Sequence, residues 1–65
     1  MDAKTRAALI DTYTLDDCIS ILAFGAPDLL EQIAEDVRFF PDDPKTLSKA
    51  KSAVHEAVAR EKRSN

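Results

Sequence analysis

Cys18 and His55 are the single cysteine and the single histidine of this 65-residue chain. They are the natural places to look for nucleophilic or metal chemistry. A reactive thiolate needs a base or a helix N-terminus beside it, and a structural zinc site needs four ligands. One Cys and one His cannot complete such a set. Cys18 also falls on an apolar helical stripe, where a free cysteine acts as a small hydrophobe. His55 stands at the border between an apolar and a charged face. The acid pairs Asp16/Asp17, Glu35/Asp36 and Asp42/Asp43 are adjacent in sequence. On a helix, neighbours point about 100° apart, so none of these pairs forms the opposed carboxylates of an acid–base site. No calcium-loop pattern, phosphate loop or triad is present. The expectation is therefore no enzyme, no catalytic residue, no bound metal and no cofactor.

The elements that would carry these residues read as helices throughout. Asp2 is placed to cap a helix over about 3–12, which directs Arg6, Leu9, Ile10 and Tyr13 to one side. Thr14, with Asp17 three residues on, forms a capping-box pattern that opens a helix over 15–24. Its stripe is Leu15, Cys18, Ile19, Leu22 and Ala23. Gly25, the only glycine, is expected to end this helix as a left-handed residue. Pro27 suits the first turn of a helix over 27–40, with Asp28 and Glu31 near its positive end. Its stripe is Leu30, Ile33, Ala34, Val37 and Phe40, with Leu29 on the flank. Pro41 and Pro44 stop it, and Asp43 and Pro44 form an N-cap and first-turn pair for a helix over 44–61. There Leu47, Ala50, Val54, Ala57 and Val58 share a face, and 62–65 should fray. No segment alternates like a strand, and the connections are short. The fold class is all-α: a single domain over 1–65, a compact bundle of three to four short helices around a helix–Gly–helix hairpin.

Charge is unevenly distributed. Met1 to Pro44 carries ten acids against Lys4, Arg6 and Arg38, and Lys45 to Asn65 carries six bases against Glu56 and Glu61. The reading is a basic last helix lying across acidic neighbours. A chain this small buries only about 60% of its unfolded surface, so a partner surface would add stability. An unpaired cysteine and the lack of a long apolar segment suit a soluble, cytoplasmic protein with no membrane association. Its size and acidity are those of many small phage accessory or bacterial regulatory proteins, although no motif supports that link.

The helix–Gly–helix stretch from Cys18 to Asp36 raises the question of a DNA-reading helix-turn-helix. Its second helix would bring Asp28, Glu31, Glu35 and Asp36 toward phosphates, whereas DNA binding depends on cations. The bases of the last helix, Lys45, Lys49, Lys51, Arg60, Lys62 and Arg63, are scattered, with no aromatic among them to stack on a base. Direct nucleic-acid binding is disfavoured.

Subtracting the stripes leaves Ile21, Phe24 and Phe39. On ideal helices Phe24 points about 180° from Leu15, Ile21 about 120° from it, and Phe39 about 180° from Leu30. The outer helices either cover these residues or leave them as an apolar patch near the Gly25 turn and the end of the third helix. Exposed aromatics ringed by acids mark a protein-binding surface. The candidate partner-binding residues are therefore Ile21, Phe24 and Phe39 as anchors, with Asp17, Glu35 and Asp36 as an acidic rim. The expected function is a protein–protein interaction module, self-associating or docking on a larger protein as a regulator, inhibitor or assembly component. The alternatives are an acidic mimic of nucleic acid that occupies a basic groove on a target protein, and a helix-turn-helix-like regulator.

Overall fold

Four helices follow one another in the computed structural model, which describes residues 2–64, the side chains of Ala3 and 62–64 excepted: α1 (Ala3–Asp11), α2 (Leu15–Gly25), α3 (Pro27–Phe39) and α4 (Pro44–Ser64). Among the described residues there is no strand. Local chemistry sets most of the boundaries. The Asp2 carboxylate accepts the Thr5 N–H at 2.7 Å and caps α1. Thr14 and Asp17 exchange both bonds of a capping box, which satisfies two backbone donors that the first turn would otherwise leave open. Asp43 Oδ1 accepts the Lys45 N–H at 2.8 Å and starts α4. With no glycine or proline after Pro44 and good helix formers through its last turns, α4 continues to Ser64, beyond the expected 61.

The turn between α2 and α3 differs from expectation. Gly25 is the last helical residue of α2 and its φ is not positive. The direction changes instead at Ala26 (φ −154°, ψ 66°), which is shared by both helices. The Ala26 N–H donates to the Leu22 carbonyl at 2.8 Å, and its own carbonyl accepts from the N–H groups of Leu29 and Leu30. Ala26 is also buried. One residue thus closes one helix and opens the next.

α4 is the helix that touches all the others; α2 and α3 also pack on each other, while α1 packs only on α4. The core is Ile10 from α1, Cys18 and Leu22 from α2, Ala26, Leu29 and Ile33 from the turn and α3, and Ala50, Ala53 and Val54 from α4. The small Ala50 and Ala53 on α4 sit in this core, and the molecule measures 35 × 22 × 15 Å. Compared with the expected stripes, the buried face of α3 is rotated toward Leu29 and Ile33. Ala34 is exposed, as is Ala23 on α2. On α1, Ile10 is buried, while Leu9 is 41% exposed and Arg6 lies in solvent. Phe40, expected in the core, is 58% exposed. It lies one residue beyond the end of α3 (φ −132°, ψ 52°), so the helical spacing that would have turned its ring inward no longer applies.

The basic helix does lie across acidic neighbours. Lys49 Nζ meets Asp36 Oδ2 at 2.8 Å and Arg60 meets Asp28 Oδ2 at 2.7 Å, both on α3. Toward α1, Lys51 Nζ donates to the Asp11 carbonyl at 2.7 Å, a cation at the negative end of that helix. His55 Nε2 lies 3.7 Å from the Asp11 carboxylate.

Candidate functional site

The α3–α4 corner is built by backbone and side chain together. The Phe40 carbonyl accepts the Thr46 hydroxyl at 2.7 Å and the Asp43 N–H at 3.2 Å. Thr46 is only 2% exposed, a buried hydroxyl with its partner in place. The sequence offered one signal for it, a threonine three residues after the Asp43 cap. The turn-back to Phe40 could not be read from that spacing. This corner holds Phe39, 62% exposed, beside Phe40, and the Arg38 guanidinium lies over the Phe39 ring at 5.4 Å from its centroid.

Phe24 is at the other end of the molecule. Its ring is 97% exposed at the last turn of α2. The 13 residues of α3 separate it from Phe39, a helix length of about 20 Å. The two aromatics therefore form two surfaces and not the single patch that the sequence suggested. Ile21 belongs to neither surface. It is half-buried and packs against the core, because it lies only about 60° around α2 from the fully buried Cys18.

The acidic rim separates in the same way. The Asp17 carboxylate is engaged by the capping box, and the Asp36 carboxylate by Lys49. Glu35 remains an exposed acid on α3. Between α3 and α4 a shallow groove of about 380 Å³ is floored by Leu29, Ile33 and Ala53 and rimmed by Gln32, Lys49 and Glu56. Its floor is nearly closed, so it presents little apolar area.

Cys18 lies in the core and His55 faces Asp11 of α1, so neither belongs to these surfaces. Cys18 is fully buried, and burial pushes its thiol pKa up, which disfavours the reactive thiolate. Among the described residues no group of three or more His, Cys, Asp or Glu side chains is placed to hold a metal ion, and no helix is long and apolar enough to cross a membrane. The fold and surfaces define a small all-α bundle with aromatics exposed at two corners. No family model, curated protein or solved structure matches the chain.

Proposed function

We propose that the chain is a non-enzymatic protein-interaction module, a small cytoplasmic regulator, inhibitor or assembly component that grips its partner through Phe24. The observation that carries this reading is the 97% exposure of that ring on a bundle whose core closes without it. A phenyl group held in water on a rigid helix end is an unfavourable use of apolar area unless a partner covers it. Such rings dominate binding energy when they fill a pocket. The alternatives draw less support. An acidic mimic needs free carboxylates in phosphate-like rows, and Asp28 and Asp36 are paired with Arg60 and Lys49. A DNA-reading α3 would still bring exposed Glu31 and Glu35 against phosphates.

The test is affinity capture by the tagged chain from lysate of its source cells, with nuclease treatment and a high-salt wash, comparing wild type with Phe24→Ala. The expected result is a stoichiometric protein retained by the wild type and lost with Phe24→Ala. The variant's thermal midpoint should stay unchanged, because a nearly fully exposed ring contributes within about 0.5 kcal/mol to stability. Equal capture by both proteins, or capture that depends on nucleic acid, overturns the reading.

A further inference from the structure

The α2–α3 hairpin is covered on one side only. α4 packs against both of its helices, whereas α1 packs on α4 and on neither of them. The outer side, away from α4, therefore has no partner among the described elements. On ideal helices Phe24 and Asp17 point about 160° and 140° from the buried Leu22, Asp16 about 120° from it, and Glu31 and Glu35 about 160° from the buried Ile33. These side chains share the outer side.

That side is acidic. From Leu15 to Val37 the chain carries six acids and no Lys, Arg or His. Two of the six, Asp28 and Asp36, are met by Arg60 and Lys49 of α4. The other four, Asp16, Asp17, Glu31 and Glu35, are exposed and form no ion pair with a described residue. One Asp17 oxygen accepts the Thr14 N–H, which leaves its charge in place. The first base after this run, Arg38, stands over the Phe39 ring at the far end of α3. Counted with it, four acids against one base leave the outer side at a net −3.

Charge and length together select the occupant. Unpaired carboxylates draw a surface of Lys and Arg and repel an acidic one, while Phe24, 97% exposed, and the exposed Ala23 beside it call for apolar contact. The 11 residues of α2 and 13 of α3 give the hairpin a length of about 16 to 20 Å, the span of a partner helix of three to four turns. A basic amphipathic helix meets all three conditions. A second copy offers a poorer match, because Lys49, Lys51 and Arg60 of its basic helix are already held by Asp36, the Asp11 carbonyl and Asp28.

We infer that the outer side of the α2–α3 hairpin docks a basic amphipathic helix of a partner protein, its apolar residues against Phe24 and Ala23 and its Lys or Arg side chains against Asp16, Asp17, Glu31 and Glu35. The inference rests on the reading of Phe24 as the grip and adds the chemistry of the partner.

Selection of a displayed library of random peptides, each about 14 residues long, on the immobilised full chain tests it. The enriched peptides are expected to carry more Lys and Arg than the starting library, with apolar residues at helical spacing. Titrated in solution, they should bind less tightly at about 500 mM salt than at about 50 mM. Phe24→Ala should weaken them about tenfold, and the double variant Asp16→Lys/Glu31→Lys about tenfold as well, with the helicity of both variants by circular dichroism unchanged. Neutral or acidic peptides that need Phe24 overturn the basic partner and leave Phe24 as the grip. Basic peptides that bind Phe24→Ala as well as the wild type overturn the inference, as does a library that yields no binder. In that last case, capture from lysate that is lost with Phe24→Ala still stands by itself.

Discussion

Asp28 in the first turn of α3 receives the guanidinium of Arg60, 32 residues further along the chain, at 2.7 Å. Eight residues beyond Asp28 on the same helix, Asp36 receives Lys49. The later acid on α3 thus meets the earlier base on α4, so the two helices run antiparallel and their charges meet in register. The acid-first, base-last distribution of the sequence becomes a pair of contacts along one helix–helix seam. Both pairs are solvent-exposed, and such contacts align helices more than they stabilise them.

Acid should loosen this seam. The Arg60 hydrogen bond holds the Asp28 carboxyl below its ordinary value, and the Thr5 N–H does the same for the Asp2 cap. A depressed carboxylate contributes its stabilisation in full above the unfolded value, about 3.9, and loses it as pH falls through the folded value. The thermal midpoint is therefore expected to be flat from about pH 7 to 5 and to decline below about pH 4. Asp28→Asn should have a shallower decline. Lys49 behaves in the opposite sense: Asp36 raises its pKa, so its contribution is complete below the unfolded value near 10.4 and is lost as pH rises through the folded value. Melting curves by circular dichroism across pH check both limbs, and an Asp28→Asn profile that superimposes on the wild type in acid would remove Asp28 from this account.

Thr46 should matter more than an exposed ion pair. Its hydroxyl is buried and donates to the Phe40 carbonyl at 2.7 Å. Thr46→Val keeps the shape and removes the donor, leaving that carbonyl with only the longer bond from Asp43 N–H. The expected cost is about 1 kcal/mol. Thr46→Ser, which keeps the hydroxyl, should retain that bond and lose only a methyl group's packing. Urea titration separates these outcomes: if Thr46→Val is as stable as the wild type, the bond does not hold the corner.

The same residue marks a limit of what the sequence shows. Helix existence and most caps are readable because they depend on neighbours two to four positions apart, as with Thr14 and Asp17 or Asp43 and Lys45. Which face is buried was less readable, because the partner helix decides it. Leu29 displaced Leu30 at the centre of the α3 face, and Ile21 came to the core edge, only once α4 and its small Ala50 and Ala53 were in place. Phe24 and Phe39, off the expected stripes, are exposed, but so is Phe40, which the same spacing placed on a stripe. The separation of Phe24 from Phe39 depended on the length of α3 relative to the turn at Ala26, a three-dimensional relation.

Gly25 should be replaceable, and with a gain. It lies inside the last turn of α2 without a positive φ, and a Cβ built there meets nothing within 4 Å. Alanine restricts the unfolded chain and favours helix, so Gly25→Ala is expected to add about 0.5 kcal/mol. Were the turn a left-handed one, as the sequence suggested, the same change would destabilise. A thermal midpoint that rises or falls with Gly25→Ala therefore decides between the two turn geometries.

Cys18 offers a direct measure of how the bundle opens. Its thiol is fully buried on α2, and burial raises its pKa, so a thiol reagent reaches it only when the helix undocks. Native-state labelling is expected to be slower than in denaturant by about 100-fold or more, given the roughly 3–5 kcal/mol that a core of this size supplies. Thr46→Val, at the α3–α4 corner, makes the route of opening visible. If Cys18 is exposed by global unfolding, a loss of about 1 kcal/mol should accelerate labelling about fivefold. If α2 opens by itself, labelling should keep its wild-type rate although urea stability has dropped. Because α4 touches every other helix and carries Ala50, Ala53 and Val54 into the shared core, the fivefold acceleration is the expected result.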